Sequence, residues 1–262
     1  MPIINQIVKG GGTTPTGTLP ITNNGTYDVT NYATADVNVP VNAVPDYYVK
    51  KKILADGRLA IDDTQTTLST NPATGVANNG MANVLNGSKL GVAVDCSSLT
   101  SIGGQNAFSS AFRNATISSF DFSNVATITG SDAFAYAFAD YKSSTYPNSI
   151  FFPALTSISG ATAFQYAWSS DNKVATVSMP LLTNISSMAF YYAFSWASAI
   201  TTLTLGGTAA MTIGNMAFEG MFDGCSQNIT VNAPLANKSD IEAMSGYPSF
   251  GAYGTVTWNW VS

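Results

Sequence analysis

A short phrase, Ala-Phe-x-x-Ala-Phe or a close variant, occurs five times along this chain at a nearly constant period. The ring pairs are Phe108/Phe112, Phe134/Phe138, Phe164/Trp168, Phe190/Phe194 and Phe218/Phe222, with first members 26, 30, 26 and 28 residues apart. Self-similarity at about 20 to 50 residues marks a stacked array in which no unit can bury its apolar side alone. The question of function then becomes which surface such a stack displays.

Around the phrase the repeats follow one template. A short strand carries two apolar residues at i and i+2: Val94/Cys96, Phe120/Phe122, Ile150/Phe152, Val177/Met179, Leu203/Leu205, and a sixth pair at Ile229/Val231. Alternation of this kind puts both side chains on one face of a strand. Two further apolar steps follow at Leu99/Ile102, Val125/Ile128, Leu155/Ile158 and Leu182/Ile185, while the fifth repeat departs, with Met211 and Ile213 after Gly206-Gly207. The Ala-Phe phrase reads as a short helix, because phenylalanines at i and i+4 share one helical face. The expected fold is therefore an α+β repeat solenoid, one short strand and one short helix per repeat, with about five repeats.

On such a helix the two rings point into the core. The alanines lie to one side, where small residues let neighbouring helices approach. The residue two after the first phenylalanine falls about 200° away, facing solvent. In the three central repeats that residue is Tyr136, Tyr166 and Tyr192, with Tyr191 and Trp196 nearby. These five residues form the candidate binding site, an exposed aromatic ladder. Tyrosine offers a flat apolar face with a polar tip, suited to stacking on sugar rings. A cross-repeat contact that stiffens the solenoid, or a buried subunit contact, would use the same residues.

The flanks differ in composition. Residues 1–20 are rich in Gly, Thr and Pro and read as an extended attachment arm, ordered only where something else in an assembly holds it. Residues 21–45 read as a small β-hairpin module, with an Asn24-Gly25 turn beside alternating Tyr27/Val29 and Ala35/Val37/Val39. Residues 46–93 form a neck and N-terminal cap, in which Tyr47–Leu54 and Arg58–Ile61 pair across Asp56-Gly57. The solenoid takes 94–235 and a C-terminal cap 236–262, with a helix over Lys238–Met244, Ser239 as its cap, and a closing strand over Thr255–Trp260.

Composition narrows the function. Charged residues are 10% of the chain, net charge is −5, and there is no histidine. The missing histidine removes the commonest general base and metal ligand. Only Arg113, Lys142 and Lys173 are basic between Val94 and Val231, so there is no stripe to neutralise phosphates and no nucleic-acid partner is expected. Cys96 and Cys225 lie in the first and fifth repeats, too far apart for a disulfide if repeats stack at about 4.8 Å, and read as free core thiols. No catalytic residue, metal ligand or cofactor is expected. The carboxylates Asp121, Asp132, Asp140 and Asp223 show no spacing of a glycosidase pair. No apolar run is long enough to insert in a membrane, and the N-terminus lacks the pattern of a secretory signal.

The Ala-Phe phrase, followed by a short strand and a Leu-Thr-x-Ile step, resembles the BspA-like (Treponema-type) leucine-rich repeats of bacterial surface proteins, over roughly residues 90–235. Phe120-Asp-Phe-Ser-Asn-Val125 is similar to a phrase of related surface-lipoprotein repeats, although a regular asparagine ladder is missing. Ile21–Pro40 resembles N-terminal modules of phage virion and tail proteins. Together these resemblances imply a non-enzymatic virion protein that displays a leucine-rich-repeat-like solenoid for attachment to a host surface glycan or protein. Other virion proteins would hold the N-terminal arm, in a homo-oligomer with a trimer favoured. A bacterial cell-surface adhesin is the alternative reading, and a glycan hydrolase a more distant one.

Overall fold

The structure, a computed structural model, describes residues 50–53, 59–62, 67–69, 75–76, 78–86, 92–141, 148–170 and 172–262. The expected arm and hairpin module, residues 1–45, lie outside these. The described chain winds into a parallel β-solenoid of about six coils, with a strand face, a short-strand face and a third face built of turns.

The strand face carries β3 (Thr67–Ser69), β4 (Val92–Asp95), β6 (Ile117–Asp121), β8 (Ser149–Phe151), β10 (Thr176–Met179), β12 (Thr202–Leu205) and β14 (Ile229–Pro234). Within it β3, β4 and β6 pair in parallel, as do β8, β10, β12 and β14. The i, i+2 residues of the sequence template take the same register position in successive coils, as in Val177↔Leu203 and Leu203↔Val231. The short-strand face stacks two-residue strands: β5 (Ser101–Ile102), β7 (Thr127–Ile128), β9 (Ser157–Ile158), β11 (Asn184–Ile185) and β13 (Thr212–Ile213). In the first four, serine, threonine or asparagine points outward and isoleucine inward. At β13 the apolar step is only half-buried, and Met211 covers the core beside it. Stacking begins before residue 94, since β3 pairs with β4 and residues 79–85 hydrogen-bond to 105–111. This is why the coils outnumber the five Ala-Phe phrases.

The third face corrects the helix expectation. Each Ala-Phe segment is a run of overlapping turns. From 106 to 115 the backbone N–H groups alternate in what they bond: Ala107, Ser109, Ala111, Arg113 and Ala115 donate to the carbonyl three residues back. Asn106, Phe108, Ser110, Phe112 and Asn114 donate instead to the next coil, at the carbonyls of 131, 133, 135, 137 and 139. Half the donors thus cross-link layers, which a helix would keep within itself. Every fourth residue takes a left-handed backbone: Asn106, Ser110 and Asn114 in one coil, Asp132, Tyr136 and Asp140 in the next. A positive φ is what the third residue of a type II turn requires. The repeat along this face is therefore 4 residues, two in and two out, so each Ala-Phe pair is buried together. The alanines face the core rather than lying to its side. The α+β description gives way to a β-solenoid; among the described residues the α-helix is α1 (Lys238–Glu242), inside the C-terminal cap.

The core is one continuous interior of stacked rings. Phe108, Phe134, Phe164 and Phe190 stack at 5.0, 5.1 and 5.4 Å. Phe112, Phe138, Trp168, Phe194 and Phe222 stack at 5.3, 5.6, 4.9 and 5.6 Å. These distances match the spacing of hydrogen-bonded strands, about 4.8 Å, so backbone pairing and ring stacking reinforce each other. Phe122 and Phe152, on the strand face, stack at 4.9 Å and meet the first column edge-on.

The strand face is extended at both ends. At the N-terminal end β1 (Lys50–Ile53) and β2 (Leu59–Asp62), from the two segments expected to pair across Asp56-Gly57, pair antiparallel, and β1 joins the strand face beside β3. At the C-terminal end α1 replaces the short strand, and β15 (Val256–Val261) adds in parallel to β14. The α1 cap position is Asn237, not Ser239, and its side chain does not cap the helix. Asn237 instead accepts from the Met211 N–H at 2.6 Å and donates to the Met211 carbonyl at 2.8 Å, taking the place of a strand where none continues.

Cys96 and Cys225 are buried and form no disulfide. Cys225 Sγ donates to the Phe194 carbonyl, and burial pushes its thiol up to about 11 from an ordinary 9.0. The folded chain therefore keeps a proton that the unfolded chain releases above pH 9.0. Stability should be full below that pH and fall as pH rises through 11, by up to about 2 kcal/mol. Urea unfolding at pH 8 and pH 11 checks this; a slope unchanged in Cys225→Ala would show that other groups cause it.

Candidate functional site

The outward residues of the turn face line up in columns along the solenoid, each fixed by layer-to-layer hydrogen bonds. One column runs Ser110, Tyr136, Tyr166, Tyr192, Gly220, with the N–H of Tyr136, Tyr166 and Tyr192 bonded to the carbonyls of Gln165, Tyr191 and Glu219. The next runs Asn114, Asp140, Ser170, Trp196, Gly224, tied by Asp140, Ser170 and Trp196 N–H to Ser169, Ser195 and Asp223. All five predicted site residues lie on this face.

Tyr136, Tyr166 and Tyr192 stack as successive rungs, the first exposed and the other two half-buried. Tyr136 and Tyr166 stack at 5.1 Å and 8°, Tyr166 and Tyr192 at 5.4 Å and 19°. Tyr191 stands edge-on to both Tyr192 and Tyr166, at 4.7 and 6.3 Å. The stacking changes what the ladder can do. The two faces of Tyr166 are covered by its neighbours, and the lower face of Tyr192 lies on Gly220, where a Cβ would come within 2.7 Å of the ring. The inner rungs thus present edges and hydroxyls rather than flat faces. Burial, then the neighbouring Tyr136, Tyr191 and Tyr192 and the Asp223 carboxylate, raise the Tyr166 pKa. Burial followed by Tyr191, Asp223 and Glu219 raises that of Tyr192. Their hydroxyls are held in the protonated, donating form.

Trp196 is different. Its ring lies on Gly224, where a Cβ would come within 2.5 Å, yet the residue is 58% exposed. With one face covered, that exposure places the other face in solvent. Tyr253, which the sequence reading missed, meets the indole edge-on at 5.9 Å and is 73% exposed. It comes from the C-terminal cap, far along the chain, and no repeat position points to it.

These aromatics occupy costly backbone positions. Tyr136, Tyr166, Tyr192 and Trp196 have φ of 55°, 50°, 49° and 58°. A side chain beyond glycine pays roughly 1–2 kcal/mol there, whereas Asn and Asp, which fill the same positions at 79, 83, 106, 114, 132 and 140, tolerate it better. Large rings at strained, outward positions are what a surface selected for contact would carry. Of the predicted carboxylates, Asp140 pairs with Arg113 at 3.1 Å on the same face. Among the described residues no group of three or more Cys, Asp and Glu is placed to hold a metal ion, and no helix is long and apolar enough to cross a membrane.

No family model, curated protein or solved structure matches this chain.

Proposed function

We propose that this chain is a non-enzymatic attachment protein of a phage particle, whose solenoid displays the aromatic turn face to a glycan or protein on the host surface. The observation that carries this reading is the outward row of tyrosines and tryptophan on one face of a rigid stack, exposed at Tyr136 and Trp196 and half-buried between them. Exposed aromatic surface of this kind serves contact with a partner, and rigid presentation lowers the ordering entropy lost on binding. The likeness of the Ala-Phe repeats to BspA-like surface repeats, and of Ile21–Pro40 to phage virion modules, supports both the display role and the particle. In this reading residues 1–45 hold the chain to the virion, as a trimer or another symmetric oligomer, and the repeats are kin to the leucine-rich surface repeats despite their turn-built third face. A bacterial surface adhesin would draw on the same repeat likeness, without the virion module.

The test has two parts. Mass spectrometry of purified particles should find the chain among the virion proteins, and fluorescently labelled chain should decorate intact host cells. Particles without it would end the virion assignment, and unlabelled cells would end the attachment role.

A further inference from the structure

Along the column Asn114, Asp140, Ser170, Trp196, Gly224, the tryptophan is the single ring. Trp196 rests on Gly224 on one side; on the other, one layer away, stands Ser170, whose N–H bonds to the Ser195 carbonyl at 2.7 Å. Tyrosine fills the same layer four residues earlier, at Tyr166, and Asp140 occupies the layer beyond Ser170. Among the described residues no ring fills the step at Ser170, which is one layer thick, floored by the indole face and bordered on the far side by Asp140, itself paired with Arg113. Ring stacks in the neighbouring columns measure that layer at 4.9 to 5.6 Å.

We propose that this step is a saccharide subsite, in which a pyranose ring of a surface polysaccharide stacks on Trp196 in the layer of Ser170. A pyranose has one face of C–H groups and a rim of hydroxyls. The C–H face stacks on the open indole. The rim meets the Tyr166 edge in the same layer, and the Asp140–Arg113 pair offers polar groups to the hydroxyls on the far side. A second copy of this chain fits less well, because the step is narrow and bordered by polar groups, whereas protein interfaces bury broad, close-fitting areas. This inference rests on the attachment reading and names the ligand class for the same face.

The step can be emptied or filled. Trp196→Ala removes its floor. Ser170→Tyr fills it, since a tyrosine in the left-handed backbone is already accommodated at Tyr166 with φ 50° and Ser170 stands at φ 65°. The probes are tetrasaccharides of β1,4-linked N-acetylglucosamine, β1,4-linked glucose and β1,3-linked galactose, titrated by intrinsic tryptophan fluorescence and by calorimetry. At least one should bind the full-length chain with Kd on the order of 1 mM or tighter. Each variant should weaken binding about tenfold or more, the effect of losing one stacked ring. Phe151→Ser, which removes an exposed ring on the strand face, should leave affinity unchanged. Ser170→Tyr should also protect Trp196 from acrylamide quenching while the thermal midpoint holds, a readout that needs no ligand. If a sugar binds wild type and both variants equally, or Ser170→Tyr leaves quenching unaltered, the subsite is wrong while attachment stands. If no probe binds yet labelled chain still decorates host cells, the saccharide class is wrong and attachment again stands. Absence of both overturns the two together.

Discussion

Trp168→Ala should destabilise the solenoid by about 3–5 kcal/mol, and Trp168→Phe should change it by less than about 1.5 kcal/mol. Trp168 is fully buried between Phe138 and Phe194, nearly parallel to both at 3° and 9°, and stacks on Phe164 at 5.1 Å in its own coil. Alanine would leave a ring-sized void at mid-column, and layer-to-layer hydrogen bonds on all three faces prevent the neighbours from closing it. Phenylalanine is the residue found at the other positions of this column. Among the described residues the indole Nε1 has no hydrogen-bond partner, and an unpaired buried donor costs about 1–3 kcal/mol, so removing it offsets much of the lost volume. Urea midpoints at a constant denaturant slope measure both effects. Should Trp168→Phe lose as much as Trp168→Ala, the unpaired N–H is compensated by something other than the described side chains. Because each coil touches only its neighbours, Trp168→Ala should also split unfolding into two transitions, one for each side of the break.

The repeat, its register and its inward rings were legible because they depend on period alone. Every strand position marked by an i, i+2 apolar pair carries a strand or its immediate continuation, from β4 at Val94 to β14 at Ile229. The error lay in turning a period of 4 into a helix. Over six residues, 4.0 and 3.6 residues per turn place Phe108 and Phe112 on one side alike. The distinction needs a third member: Ala107, Ala111 and Ala115 are all buried, whereas a helix would carry the third about 80° away from the first. A second signal was also present. Asn or Asp recurs eight residues apart at Asn106/Asn114 and Asp132/Asp140, and Gly four apart at Gly220/Gly224, the residue types that accept a left-handed backbone. The outward ladder was readable, since the residue two after the ring faces out at either period. That its inner faces are mutually covered was not, because stacking depends on layer spacing. The open face of Trp196 depends on a glycine one coil later and a serine one coil earlier, both unremarkable in the sequence.

Gly160→Ala should cost about 3 kcal/mol or more, although the residue is buried and adds only a methyl group. A Cβ at Gly160 would lie 2.0 Å from the Gly130 carbonyl oxygen and 2.5 Å from its carbon. Both are backbone atoms, so no side chain can rotate away. Relief requires the two coils to separate. That separation is opposed by the pairing of β7 with β9, by the N–H groups of Ser159 and Gly160, which share the Ile128 carbonyl at 2.9 and 3.2 Å, and by the Phe134–Phe164 stack. Gly130 stands in the same relation to Gly104, so the corner is a column of close backbone contacts. Gly103→Ala provides the contrast. There the nearest atom is the Thr129 hydroxyl oxygen at 3.4 Å, a side chain that can shift, and the expected change is within about 1 kcal/mol. Thermal unfolding of the two variants, with amide exchange at Ser159 and Gly160, separates these outcomes. Equal stability of the two would mean that the coils are not held at the distance the ring stacks record, and the continuous interior on which the displayed face depends would be looser than its geometry.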